Sequence, residues 1–260
     1  MATTTLSHKR LWNRRVLLHS LILTGLTLAS LLVHRSALQI GFIADDFSFL
    51  TIDIQRIFSM SGNIYRPFGI TLFFLANQWF GDNAATVLHI LGIALHVINS
   101  YLLFRLAEAL TNNIAISLFA AVVSLYNLNA IEPVYWLSAL IFYLPLATLF
   151  LLTFLLAYHK FKSILVENRS ADANPNWYLR VGIQIALLWL CNLMFHEAAL
   201  VTPLIVGLMF YGGVFFPRPK FNLLRHFFLW LPSMLVAVAY GIIRIALHAP
   251  IIGPENRTTC

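Results

Sequence analysis

The sequence predicts an all-α, polytopic membrane protein with about seven transmembrane helices and with interfacial helices in its first outer loop. Three observations lead there. The 260 residues are 60% hydrophobic and only 10% charged, whereas soluble domains carry about 25% charged residues. Seven apolar runs, at roughly 16–34, 84–107, 114–131, 137–158, 179–196, 198–216 and 227–247, approach the ~20 residues that cross a bilayer. The basic residues also sort by side once those runs are threaded through a membrane.

The first run has no small-residue cleavage site after it, so it reads as a retained anchor rather than a signal peptide. Between the first and second runs lies the largest outer loop, 35–83, which holds a shorter apolar stretch at 66–81. Charge decides whether that stretch crosses. With 66–81 lying on or dipping into the outer surface and the N-terminus cytoplasmic, Lys9, Arg10, Arg14, Arg15, Arg105, Lys160, Lys162, Arg169, Arg180, Arg218, Lys220 and Arg225 all fall inside. Only Arg35, Arg56, Arg66, Arg244 and Arg257 fall outside. A crossing there would move the basic loops 159–180 and 217–226 outside, against the positive-inside rule. Residues 1–260 therefore read as one transmembrane module. The tight turns at Glu132-Pro133 and His196-Glu197 join its third and fourth, and its fifth and sixth, spans into hairpins.

A net charge of +7 is then a consequence of membrane topology, and no nucleic acid is implied. The two cysteines, Cys191 and Cys260, suggest neither a disulfide framework nor a cysteine metal site. Acceptor patterns for N-glycosylation occur at Asn168 and Asn256, the first on the side read as cytoplasmic. His89 and His96, seven apart on one helix face, fit interhelical hydrogen bonding better than metal ligation, which favours shorter helical spacings.

The acidic residues sort as well. Asp45, Asp46, Asp53, Asp82, Glu132, Glu197 and Glu255 fall outside, and several stand at the ends of apolar runs. Tyr240, Arg244 and His248, four apart, share one face of the last run. Ionisable groups at such depth are costly against lipid and usually line a polar cavity. Five segments thus deliver Asp45-Asp46, Arg66, Glu132, His196-Glu197 and Arg244 to one membrane face. Each also has a plainer role. Asp45-Asp46 can start a solvated loop or cap a helix, and Arg66 can anchor among headgroups. Glu132 and His196-Glu197 can belong to polar turns, and Arg244 can snorkel.

At these residues the chain resembles the GT-C membrane glycosyltransferases, in the branch of the protein O-mannosyltransferases that includes the transmembrane and tetratricopeptide-repeat O-mannosyltransferases. The acidic pair Asp45-Asp46, "YRPFGITLFF" from Tyr65, "LH" at 88–89, "IEPVYWLSAL" from Ile131, "HEAALVTPL" from His196 and "YGIIR" from Tyr240 follow that group's order and spacing over most of 40–248. His196 stands where a Lys is usual, and the chain stops soon after the seventh run, where family members continue through further helices and a soluble part.

The resemblance implies inverting transfer of a sugar from a polyprenyl-phosphate donor to a hydroxyl of a protein, lipid or glycan acceptor, at the extracytoplasmic face of a bacterial inner membrane or the endoplasmic reticulum. It makes Asp45 the general base and Asp46 a second catalytic carboxylate that orients the acceptor or the base. Arg244, then Arg66 and His196, become the groups that hold the donor phosphate, with Glu132, Glu197 and Tyr240 in support. No cofactor is inferred: paired Asp can hold Mg²⁺ or Mn²⁺, but base-catalysed inversion needs no metal. A transporter or lipid flippase, and a non-catalytic assembly subunit, are the other classes that such a sequence admits.

Overall fold

The computed structural model describes residues 3–50, 66–165, 175–212 and 223–246. Among these, every regular element is helical. In chain order they are α1 (Thr3–His34), a 3-10 turn (Arg35–Gln39), α2 (Asp46–Leu50), α3 (Pro67–Phe80), α4 (Ala84–Thr111), α5 (Ile114–Tyr126), α6 (Leu128–Tyr135), α7 (Leu137–Leu165), α8 (Pro175–Phe195), a second 3-10 turn (Glu197–Val201), α9 (Thr202–Tyr211) and α10 (Leu223–Ala246). Tyr65, His248, Asn168, Asn256 and most of the two basic loops lie outside the described residues.

Five helical segments are long and apolar enough to cross a membrane: Arg14–Gln39, Pro67–Thr111, Leu137–Ser163, Asn176–Phe195 and Leu224–Ala246. This makes the chain a multi-pass membrane protein by length and composition. The other two apolar runs form shorter helices, Ile114–Tyr126 and Glu197–Tyr211. The stops have local causes. Asn112 takes the left-handed conformation (φ 51°) that ends α4, and Asn113 then caps α5 by accepting the Ala115 and Ile116 N–H groups. Asn127, in extended conformation, ends α5 at Tyr126. Glu197 opens the second 3-10 turn after an extended His196. α5 is thereby limited to 13 residues, about 20 Å at 1.5 Å per residue.

The stretch 66–81 forms its own 14-residue helix, α3, rather than extending α4. The break is at Gly81, whose φ of +50° a side chain would resist. At 14 residues, α3 covers about 21 Å.

Contacts give the register. His19 lies against Tyr101 and Phe104, and His34 against His96, so α1 and α4 run antiparallel. Gly92 of α4 meets Leu140, and Tyr158 of α7 reaches the Ala109 carbonyl, so α4 and α7 run parallel. Gly182 of α8 faces the Leu229 backbone, while Trp189 and Leu193 share a buried cluster with Tyr240, so α8 and α10 are parallel too. An added Cβ at Gly182 would stand 2.2 Å from the Leu229 carbonyl oxygen. That approach is closed to any other residue unless the helices part.

One end of the bundle therefore carries the C-termini of α1, α8 and α10 with the N-termini of α4 and α7. α4 has 28 residues, about 42 Å, and outruns a hydrocarbon layer of ~30 Å. Around its N-terminal part a cap is built on one shared core. Ala37 of the first 3-10 turn, Phe73 and Ala76 of α3, Ala84, Ala85 and Leu88 of α4, Val134 of α6, and Leu137, Leu140 and Ile141 of α7 are all buried there. Each large side chain so buried contributes about 1.5–3 kcal/mol.

Candidate functional site

The site lies at the cap end, and its first part is the loop before α2. Ala44 adopts φ 46°, and this turn sends the two adjacent carboxylates to different fates. Asp45 is exposed, whereas Asp46 is fully buried. Asp46 Oδ1 accepts the Ser138 N–H at 2.7 Å and also the Ser138 hydroxyl; Oδ2 accepts the Ile43 N–H at 2.9 Å. Ser138 is the second residue of α7, where helical N–H groups lack partners and the helix dipole favours negative charge. A carboxylate 92 residues away in sequence thus caps α7 and holds the loop over it.

One turn along α7, Phe142 carries the next part. The Arg66 guanidinium sits 5.0 Å above the Phe142 ring. Arg66 precedes Pro67, whose fixed φ suits the first position of α3. Two residues on, Gly69 presses directly on the Phe142 ring, where a Cβ would come within 2.5 Å. So placed, Arg66 donates two parallel hydrogen bonds to Glu197, Nη2 to Oε1 at 2.9 Å and Nε to Oε2 at 3.2 Å, the strong geometry for this pair.

Burial pushes the Glu197 carboxyl up. Hydrogen bonds from Arg66 and from its own backbone, with the nearby cation, outweigh that and hold it at about 2. Burial, then the Arg66 charge, push the neighbouring His196 imidazole down, with Glu197 opposing.

His196 lies between these groups and α7. Its ring is 5.0 Å from that of Tyr143. Its Nδ1 accepts the Ala198 N–H at 3.0 Å, so in the neutral ring the proton must sit on Nε2. That Nε2 is buried and has no protein partner among the described residues. His196 is therefore a neutral donor rather than a substitute cation.

From the His196 turn the contacts continue to α10. Ala199 shares a buried cluster with Trp189, Leu193 and Tyr240 and accepts the Trp189 indole N–H. One turn beyond Tyr240 stands Arg244, 2% exposed, its guanidinium carbon 5.9 Å from the Tyr240 ring. Two sets of contacts thus lie at this end: Asp46 on Ser138, one turn of α7 before Phe142, and Phe142 with Arg66, Glu197 and His196. Ala199 shares a buried cluster with Tyr240, which Arg244 overlies. Glu132 stays apart: it is exposed on α6, at the same end, with no bond to the Arg66–Glu197 pair among the described residues.

The cap end thus carries the exposed Asp45 carboxylate, the imidazole N–H of His196 and two arginines, Arg66 and the buried Arg244. Such a set can accept a proton and stabilise an anion. Among the described residues no group of three or more His, Cys, Asp or Glu side chains is arranged to hold a metal. His89 and His96 bond separate carbonyls, of Val134 and Leu125, in keeping with interhelical hydrogen bonding. Sequence reasoning missed Ser138, Phe142 and Tyr143. Ser138 carried a faint signal as a serine at a helix start, but an aromatic inside a membrane run gives none.

Comparison of the chain with protein-family models, with curated proteins and with solved structures finds no match.

Proposed function

We propose that the chain is a membrane glycosyltransferase that moves a sugar from a polyprenyl-phosphate donor to an acceptor hydroxyl, with inversion. The reading rests on the resemblance at the quoted motifs. The observation that supports it best is that Asp46 is tied down at the cap end while Asp45 is left exposed, at the end of the bundle that also holds Arg66, His196 and Arg244. In this reading the short helices α5 and α9 complete seven crossings together with the five long segments. The N-terminus is cytoplasmic and the cap extracytoplasmic.

Asp45 takes the acceptor hydroxyl proton as that oxygen attacks C1 of the sugar. The bond from C1 to the phosphate oxygen breaks, and the lipid phosphate leaves with the electron pair. Its growing negative charge is met by Arg244, by the His196 Nε2–H and by Arg66. Glu197 keeps Arg66 extended toward the site, and Tyr240 supports Arg244. Asp46 positions the loop that carries Asp45, and Glu132 faces the acceptor side.

Sugar transfer by purified, folded Asp45→Asn with polyprenyl-phosphate sugars tests the proposal. Removal of a general base should lower the rate about 10²–10⁴-fold. A near-normal rate in that variant would take Asp45 out of the role. Labelled donor crossing proteoliposomes without covalent transfer would replace the proposal with a flippase.

A further inference from the structure

A second polar site lies in the seam between α1 and α4, away from the groups above. Ser30 and His34 of α1, and His96 and Ser100 of α4, are all at most 1% exposed. The spacing is four on each helix, and the helices are antiparallel, so His34 meets His96 (ring centroids 5.3 Å apart, nearly perpendicular) and the two serines lie one turn further along the same seam. Helical hydroxyls commonly bond back to the carbonyl four residues earlier. Thr27, Thr71, Ser117, Thr148 and Thr153 all do so here. Ser30 and Ser100 do not, and their oxygens have no protein partner among the described residues.

The same holds for both ring nitrogens of His34. His96 Nε2 lies 3.1 Å from the Leu125 carbonyl, which only accepts, so Nε2 carries the proton and the neutral ring leaves Nδ1 as an acceptor. The seam thus offers hydroxyls, an imidazole N–H and imidazole lone pairs in a fully buried place, where unpaired polar groups cost about 1–3 kcal/mol each.

The chemistry of the occupant follows from charge. Glu108, the acidic residue described on these two helices, is already engaged by His19 and Arg105 at the other end of the seam. A divalent cation here would add charge with no carboxylate beside it, a heavy penalty in a low-dielectric interior. A neutral molecule that both donates and accepts meets the need, and a buried water typically makes two to four such bonds.

We propose that Ser30, His34, His96 and Ser100 form a binding site for ordered water, and that this water is the joint holding α1 to α4. α1 is the most lightly held of the long segments, little of its apolar length being covered by protein, and among the described residues the buried apolar cluster it joins is the small one around Leu26 and Phe104.

Solid-state NMR of the histidine- and phenylalanine-labelled full chain in phosphatidylcholine bilayers tests this through magnetisation transfer from water. Transfer to the His34 and His96 rings should be several-fold faster than to the Phe104 ring. It should fall toward the Phe104 level in Ser30→Ala/Ser100→Ala, with both rings neutral at pH 7. Slow transfer in the unaltered chain would overturn the proposal. So would doubly protonated rings, or histidine shifts moved by stoichiometric Zn²⁺, which would make the seam a charged or metal site. Should the double variant misfold, hydrogen exchange of the unaltered chain gives the second reading: dry seam protons would exchange as slowly as the α4 core, which also counts against it.

Discussion

The two ends of the α1–α4–α7–α8 bundle use ionisable residues in different ways. At the end away from the cap, Arg105 pairs with Glu108 three residues on, and His19 reaches the same carboxylate from α1. Those side chains are partly exposed, and the Arg105 pair is one a single helix would make by itself. At the cap end, the partners are 131 residues apart for Arg66 and Glu197 and 92 for Asp46 and Ser138. The local Arg105–Glu108 pair decorates one helix, whereas the bidentate Arg66–Glu197 pair and the Asp46–Ser138 bonds fix how loops meet helices. The cap end is thus where a bidentate ion pair and a carboxylate cap tie loops to helices, and there the candidate site lies.

The contrast can be broken most strongly at the packing beneath it. Gly182→Leu should cost about 3 kcal/mol or more, because its side chain must displace backbone of α10; Arg244 would move with that helix, and thermal unfolding in detergent micelles would register the loss. Asp46→Ala comes next. It strips partners from the Ser138 and Ile43 N–H groups, for an expected ~2–3 kcal/mol, and lost protection of those two amides in hydrogen exchange would mark it as a tether.

A double-mutant cycle on Arg66→Met and Glu197→Gln should return a coupling of about 1–2 kcal/mol, between exposed and buried pairs, against about 0.3–0.5 for Arg105 and Glu108. Equal couplings would dissolve the distinction between the ends.

Acidity sharpens the same comparison. Glu197 has its folded pKa depressed from 4.5 to about 2. Its stabilising contribution is complete above 4.5 and disappears as pH falls toward 2. The stability difference between the unaltered chain and Glu197→Gln should therefore be flat from neutral pH to about 4.5 and shrink below it. His196 has its folded pKa lowered from 6.5, so the unfolded chain takes up its proton first and stability declines below that pH; His196→Gln should flatten part of that decline. The smallest effect concerns turnover. His196→Gln keeps a neutral donor and should lose little transfer activity, whereas His196→Leu should lose about tenfold, as expected for one hydrogen bond.

Much of this architecture was legible from residue pattern. Five apolar runs correspond to the long segments, and Gly81-Asp82-Asn83 marks the end of the separate helix that begins at Pro67. The two short helices departed from expectation because asparagine caps and an extended residue trim them, a local effect that hydropathy averages away. Within the site, the common location of Asp46, Arg66, His196, Glu197 and Arg244 was readable from topology. The division of labour was not. Asp45 and Asp46 look equivalent in a string of letters, and only the distant α7 N-terminus separates them. Arg66 and Glu197 were each assigned to that face, yet nothing in either neighbourhood says they bind each other. His34 went unnoticed because its partner arrives from another helix.

The cap core has a consequence for cooperativity. Since Phe73, Leu88, Val134 and Leu140 share one buried cluster, α3 has no independent fold to lose or keep. Exchange kinetics should assign it, the base of α7 and the projecting turns of α4 to one foldon that opens as a block. The acidic loop, fastened to that block through Asp46, inherits its lifetime and behaves as part of a rigid lid seat instead of a fluctuating surface segment.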